Sequence, residues 1–415
     1  MRTKVLFVVE SVTLAHVARS AVLASALDPA VYDVDFACAP QYQFVLDKLA
    51  LRRLPVRSIS SEAFLDALRK GRRFYDRATI RAYLREEQVL LDAVRPDVVV
   101  GDFRLSLAIS ARLAGVPYAT LTNAYWSPHA ASHDVVPEHP LIHWLGLGVG
   151  GRIVDLFKPL VMRYMARPFD ALRREHGMAP FASLFDLYTS ADRTFFLDVP
   201  ALVETSAPAA THTYLGPVLW SPDAPRPVWW ERLPGDRPIV YVSLGSSGPA
   251  QLLQSWLEVL ARAPYTFIVA TAGRAALTST PKNVWAAEYL NGEAAARRAD
   301  VVVCNGGSPS VYQALAVGCP VIGVPSNMDQ HLCMGHVARA GLGAIVRSDQ
   351  ASARALLGGI EAVLADLGYR ARARQASAAI AEYPAPRRFS EALADWISPR
   401  RGVVPVASGA DHGTV

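Results

Sequence analysis

Residues 289–330 read YLNGEAAARRADVVVCNGGSPSVYQALAVGCPVIGVPSNMDQ, and their reading decides the fold. Asp300 closes a helix-like run, and Val301-Val302-Val303-Cys304 is a short β-branched burst, the pattern of a parallel strand buried on both faces. Asn305-Gly306-Gly307-Ser308-Pro309-Ser310 turns the chain sharply. Residues 311–317 read as a helix capped by Gly318, and residues 319–324 as a second buried strand. A glycine turn feeding a helix N-terminus offers free backbone N–H groups and a positive dipole end, which suits a phosphate. Asp329 and Gln330 follow the second strand, where open α/β sheets bind ligands. An anion site beside a carboxylate and an amide fits a phosphate carrying a polyhydroxylated group, as in a nucleotide sugar.

The stretch resembles the nucleotide-sugar signature of the inverting GT-B glycosyltransferases, the group of the UDP-glycosyltransferases and bacterial macrolide glycosyltransferases. That signature runs from an aromatic and Pro-Gln to His-x-Gly-x-x-Ser, a Glu three residues later, and a final Asp/Glu-Gln. Tyr289, Asn305, Gly307, Ser310, Gln313, Asp329 and Gln330 fall in its places without a gap. The resemblance implies an α/β protein of the GT-B kind, with two facing Rossmann-like domains and a cleft between them. It implies that Tyr289 and Leu290 meet the nucleotide base, Gln313 the ribose, and Asp329 and Gln330 the sugar hydroxyls. Asn305, Gly307 and Ser310 would bind the donor phosphates. So would Ser243, Gly245 and Ser246, in a turn resembling the family's Ser-Leu-Gly-Ser loop. Asn305 stands for the usual His, Gln313 for Glu, and Asn291-Gly292 for Pro-Gln.

The chain has 415 residues, 51% hydrophobic and 19% charged, enough for two globular domains. The formal charge of +5 is a mild basic excess, read as a solvated arginine-rich surface, attraction of an anionic donor, or contact with an anionic membrane. No dense Lys/Arg run with interleaved aromatics occurs, so no nucleic acid is expected. Cys38, Cys304, Cys319 and Cys333 form no C-x-x-C pair and read as small buried residues in a reducing compartment. Glu10 interrupts the first apolar run, so no signal peptide is expected and the localisation expected is cytoplasmic.

Residues 4–9, 16–27 and 32–37 read as strand, helix, strand, a Rossmann-type opening without G-x-G-x-x-G. Residues 41–95 read as helical and charged. Residues 98–100 form a central strand ending at Gly101-Asp102. Residues 124–177 look loop-like, then amphipathic from residue 153, and the resemblance places the acceptor pocket here, with Tyr125, Trp126 and Leu156. The histidines at 129, 133, 139 and 143 are irregularly spaced and no metal is expected. Prolines crowd residues 216–238, and residues 216–237 read as a stiff linker between residues 1–215, the acceptor-binding domain, and 238–383, the donor-binding domain. Residues 384–397 read as a helix that, by the resemblance, crosses back to the first domain. Residues 398–415 read as a disordered tail.

Transfer of a sugar to a hydroxyl needs a base for the acceptor proton and something dipolar for the leaving diphosphate. His16, just after the first strand, stands where the family has its Gly-His, although Ala15 replaces the Gly and Arg19 the family's later Pro. Asp102 ends a strand at the same sheet edge and matches the family's partner carboxylate. The expected activity is inverting transfer of a hexose or deoxyhexose from a UDP- or dTDP-sugar to a hydroxyl of an apolar small molecule. No cofactor or metal is expected, and the protein would be a monomer or homodimer. A lipid glycosyltransferase in peripheral membrane contact, a nucleotide-sugar 2-epimerase and a non-catalytic nucleotide-sugar binder remain alternatives.

Overall fold

The structure is a computed structural model that describes residues 2–138, 140–245, 248–249, 251–274, 277 and 280–401. Ser246 and residues 402–415 lie outside the described residues, so the phosphate role expected of Ser246 and most of the expected tail fall there.

The first half alternates strand and helix: β1 (Thr3–Val9), α1 (Leu14–Ser25), β2 (Tyr32–Cys38), β3 (Arg52–Pro55), α2 (Ser61–Arg69) and α3 (Arg77–Val94). It continues through β4 (Val98–Asp102), α4 (Leu107–Leu113), β5 (Tyr118–Thr122), α5 (Pro140–Glu175), α6 (Leu184–Tyr188), β6 (Arg193–Phe196) and β7 (His212–Tyr214). The second half begins β8 (Ile239–Ser243), α7 (Gln251–Leu260), β9 (Thr266–Ala270), β10 (Val284–Ala287), α8 (Gly292–Arg298) and β11 (Val301–Cys304). Then come α9 (Ser308–Ala316), β12 (Val321–Gly323), α10 (Met328–Arg339), β13 (Gly343–Ile345), α11 (Ala353–Ala365), α12 (Leu367–Ala381) and α13 (Ala385–Arg401).

All pairings within the two sheets are parallel, in the orders β3-β2-β1-β4-β5-β6-β7 and β10-β9-β8-β11-β12-β13. In each, the chain runs outward one way from its first strand and then returns to fill the other side. The reversal falls between β1 and β4 in one sheet and between β8 and β11 in the other. Crevices at such reversals, beyond the strands' carboxyl ends, are where open α/β sheets hold ligands. The valine-rich strands fit this: β4 and β11 are buried at every residue, because helices cover both faces.

Helix α13 follows the second sheet in sequence but packs on the first. Its Phe389 lies 5.9 Å from the Phe7 ring and 5.5 Å from Phe195, and Leu393 and Trp396 join the same core. A fully buried Phe contributes about 1.5–3 kcal/mol, so these side chains bind the C-terminus to the first half. The helix reaches Arg401, four residues beyond the end read from sequence.

Three expectations need correction. Residues 41–95 are not simply helical, because Arg52-Arg53-Leu54-Pro55 is the edge strand β3. Two arginines and a proline suit an edge but hide the strand from an apolar pattern. Residues 140–175 form a long helix interrupted at Gly146, whose φ of 72° breaks the helical path, and are not loop-like in their first part. The proline-rich stretch is packed structure as well as linker. It holds a one-turn 3-10 helix at Trp230–Arg232, and Trp230 is buried.

Candidate active site

A cavity of about 720 Å³ lies between the halves, lined by residues of both. Its first-half wall begins where β1 gives way to α1. Pairing of β1 with β4 sets Val9 beside Asp102, so the residue ending β4 reaches the first turns of α1. His16 Nδ1 lies 2.8 Å from Asp102 Oδ1, with the carboxylate fully buried and the imidazole at the cavity wall. A carboxylate only accepts, so this contact favours the proton on Nδ1 and leaves the Nε2 lone pair to face a substrate.

Arg19 is the residue that sequence reasoning did not assign a role. Its Nε and Nη2 donate to the two oxygens of Asp102, each at 2.5 Å, and its Nη1 donates to Asn123 Oδ1 at 3.0 Å. Ser20 Oγ adds a further donor to Asp102 at 3.1 Å. Burial by itself would raise the Asp102 carboxyl, but the Arg19 guanidinium and His16 outweigh it and hold the group below the ordinary carboxylate range. Arg19 Nη2 also lies 3.1 Å from His16 Nδ1, where it can serve only the opposite tautomer. A signal was available, since His16 and Arg19 are three apart on one helix and share a face.

The turn after Asp102 is held in an unusual conformation. Phe103 has φ of 54°, uncommon for a bulky side chain, and its ring stacks on His16 at 5.0 Å and 10°. The next residue fixes the turn. Arg104 is fully buried, pairs with Glu87 at 2.5 Å and Glu10 at 3.0 Å, and lies 3.7 Å over the Tyr83 ring. Phe64 and Phe74 close around Phe103 at 5.5 and 5.9 Å, giving this end of the cavity an aromatic lining.

The second-half wall is built at the other reversal. Gly245 after β8 has φ of 61°, and a Cβ there would meet Asn305 Nδ2 at 3.3 Å. Gly306 after β11 has φ of 78°, and a Cβ there would sit 2.6 Å from Met334 Cγ, so only glycine lets this loop lie so close to α10. Asn305 Oδ1 accepts from Gly307 N at 3.1 Å and fixes the loop that opens α9. Helix α9 starts at Ser308, three residues earlier than the sequence reading, with Pro309 in its first turn. Asn305, Gly307, Ser308 and Ser310 line the cavity, together with Ser243 and Gly245.

Asp329 and Gln330 lie in the first turn of α10, whose Asn327 cap accepts from Gln330 N at 3.2 Å. Both line the cavity, but Gln330 Oε1 also accepts from Ser326 N at 2.9 Å and Ser326 Oγ at 3.1 Å, so it holds its own loop. Gln313 donates to the Trp220 carbonyl and to Ser221 Oγ at 3.1 Å, fastening the proline-rich segment against the cavity. Tyr289 is half exposed and Leu290 buried, both on the lining.

The residues expected in an acceptor pocket separate. Trp126 lines the cavity and its Nε1 donates to Asp329 Oδ1 at 2.8 Å, whereas Tyr125 is fully buried behind the lining, its Oη donating to the same oxygen at 3.2 Å. Leu156 does not line the cavity; it is 73% exposed on the outer face of α5, because the buried side of that helix is carried by Met162, Ala166 and Phe169. A second bridge between the halves was not anticipated. Asp198, beyond β6, accepts from Tyr312 Oη of α9 at 2.8 Å, from Ala124 N at 2.6 Å and from Asn123 Nδ2 at 3.2 Å. Burial pushes the Asp198 carboxyl up to about 6 against the effect of these donors.

Among the histidines, His133 Nε2 meets the Ser127 carbonyl at 2.9 Å, and neither His129 nor His133 lines the cavity. His139 lies outside the described residues, as does the side chain of His143. Among the described residues no three His, Cys, Asp or Glu side chains group as metal ligands.

Two facing parallel sheets of this order, with a cavity between their reversal points, define the GT-B architecture. The model of the erythromycin biosynthesis protein CIII-like C-terminal domain matches residues 256–395. The chain is 46% identical over 375 residues to a PGL/p-HBAD biosynthesis glycosyltransferase of Mycobacterium tuberculosis (strain ATCC 25177 / H37Ra), covering 90% of this chain and 88% of that protein. It is 45% identical over 382 residues to a PGL/p-HBAD biosynthesis rhamnosyltransferase of Mycobacterium bovis (strain BCG / Pasteur 1173P2), covering 92% and 84%. The spinosyn rhamnosyltransferase complexed with thymidine diphosphate matches the fold with a TM-score of 0.69 at 21% identity, over 95% of this chain and all of that one. The same enzyme complexed with spinosyn aglycone gives 0.68 at 21% identity, over 95% and 100%. The chain belongs to the GT-B glycosyltransferases of the UDP-glycosyltransferase type and is a sugar-transferring enzyme.

Proposed function

We propose that the protein is an inverting transferase that moves a hexose or deoxyhexose from a UDP- or dTDP-sugar to a hydroxyl of an apolar acceptor, without a metal. The observation that carries this reading is the 2.8 Å contact between His16 Nδ1 and Asp102 Oδ1, on the cavity wall contributed by the first half. His16 Nε2 takes the acceptor proton as the acceptor oxygen attacks the sugar C1 from the face opposite the diphosphate. The C1–O bond to the diphosphate breaks, and its electron pair leaves with the phosphate oxygen. Asp102 keeps the imidazole in the useful tautomer and stabilises the imidazolium that forms.

The N-terminus of α9 and the Gly245 turn are the groups suited to the departing negative charge, through backbone N–H groups and the helix dipole. Asp329, oriented by Trp126 and Tyr125, is suited to the sugar hydroxyls. The ring cluster of Phe64, Phe74 and Phe103 beside His16 favours an acceptor with an apolar, ring-bearing body. The named relatives in PGL/p-HBAD biosynthesis, and a neighbour of the same fold solved with a nucleoside diphosphate and with an aglycone, support a nucleotide-sugar donor and a small-molecule acceptor. A thermal-shift screen of UDP- and dTDP-sugars, followed by turnover with phenolic and aliphatic alcohols in EDTA, tests the proposal. Transfer with inverted anomeric configuration is expected; epimer release without acceptor, or binding without turnover, contradicts it.

A further inference from the structure

Helix α5 carries an outward apolar stripe that stays largely exposed among the described residues. Beyond the break at Gly146, Leu156, Leu160 and Tyr164 recur every four residues, with Phe157 and Val161 beside them and Val149 two turns earlier. Leu160 is 61% exposed, Leu156 more so, and Trp144 before the break is 84% exposed. Apolar spacing of this kind ordinarily marks a core face, but this helix already has one, through Met162, Ala166 and Phe169. Single exposed apolar residues are common; a contiguous stripe of this length marks a contact surface.

The charges around the stripe are basic. Arg152, Arg163 and Arg167 are exposed on the same helix, and Arg73 sits 4.4 Å over the Tyr164 ring. The acid within the stripe, Asp155, is paired with Lys158 at 2.5 Å. No helix among the described residues is long and apolar enough to cross a membrane, so α5 suits a surface and not a span. The patch also adjoins the cavity: Arg73 precedes Phe74, which lines the cavity with Leu65 and Leu68 of α2.

We propose that this face of α5 docks the protein on the surface of an anionic phospholipid bilayer. The stripe from Trp144 to Tyr164 enters the boundary of headgroups and acyl chains, and the flanking arginines meet lipid phosphates. A second copy of the chain or a protein partner would be drawn by the apolar stripe but would not require acidic lipid.

The test is flotation of the full chain with vesicles of equimolar phosphatidylcholine and phosphatidylglycerol, and with phosphatidylcholine alone. Strong flotation on the anionic vesicles, falling about 10-fold on the neutral ones and in high salt, is expected. Leu156→Ser with Leu160→Ser should lower flotation about 10-fold with an unchanged thermal midpoint, since both side chains already face solvent. Arg152→Gln with Arg163→Gln should weaken binding on anionic vesicles alone. Absence of flotation, flotation indifferent to the leucine pair, or a dimer in sedimentation that the leucine pair splits would overturn the proposal. Binding is read without turnover, so either outcome leaves the sugar-transfer reading to its own test.

Discussion

The indole Nε1 of Trp126 donates to Asp329 Oδ1 at 2.8 Å, so one residue from each half of the protein meets across the cavity. Trp126 is itself held by stacking on Tyr188 at 4.5 Å and 6°. Trp126→Phe keeps the stack and removes the hydrogen bond. Hydrogen bonds to charged groups contribute about 1.5–3 kcal/mol, so kcat/KM should fall about 10-fold or more as Asp329 loosens. Nucleoside diphosphate affinity, measured by calorimetry, should not change.

Asp329→Ala should cost transfer far more than nucleotide binding, because the carboxylate is assigned to the sugar and not to the nucleotide. Loss of one or two such hydrogen bonds corresponds to roughly 2–4 kcal/mol, or about 30- to 1000-fold in rate. Parallel losses in rate and in nucleoside diphosphate affinity would make Asp329 a structural strut between the halves.

The glycine loop of the second half was legible because its structure is local: strand, turn and helix follow one another within residues 301–316, and their order fixes the loop. The meeting of His16 and Asp102 was legible because Asp102 ends one strand and His16 follows the adjacent parallel one, at the same sheet edge. Side-chain partners from distant sequence were not. Nothing near Gln313 announces the Trp220 carbonyl, and nothing near Asp198 announces Tyr312. Leu156 lies on the face away from the cavity, and an amphipathic pattern gives a helix two faces without saying which meets the cavity. Strand β3 was hidden by its arginines, which an edge tolerates.

Asp198 should make stability depend on pH. Its folded value of about 6 stands above the ordinary 3.8, so the protonated carboxyl favours the folded state. That contribution is complete below about pH 4, shrinks as pH rises, and is gone once pH passes about 6. A shift of this size corresponds to roughly 3 kcal/mol. Asp198→Asn, neutral throughout, should flatten this part of the profile in denaturant titrations at several pH values, whatever its baseline stability. An unchanged slope would show that Asp198 is ionised in the fold.

Asp102 runs the opposite way. Its carboxyl is held below the ordinary range, so its contribution is present above the unfolded value and lost as pH falls through the folded one. Arg19→Gln removes the larger of its two charge partners and should move acid unfolding to higher pH. Circular dichroism on acid titration reads the shift directly. The same variant keeps a side-chain amide near Asn123, which limits the packing loss.

In the proposed reaction His16 takes the acceptor proton while Asp102 orients it. The most direct measurement is single-turnover transfer to an aliphatic alcohol and to a phenol by His16→Ala, alongside calorimetric binding of the nucleoside diphosphate. General-base catalysis contributes about 100- to 10,000-fold, so transfer to the alcohol should fall by that much. The more acidic phenol should recover part of the loss, and nucleotide binding should stay as in the unaltered protein. Full activity of His16→Ala on the alcohol, or an equal loss on both acceptors together with lost nucleotide binding, would contradict the assignment.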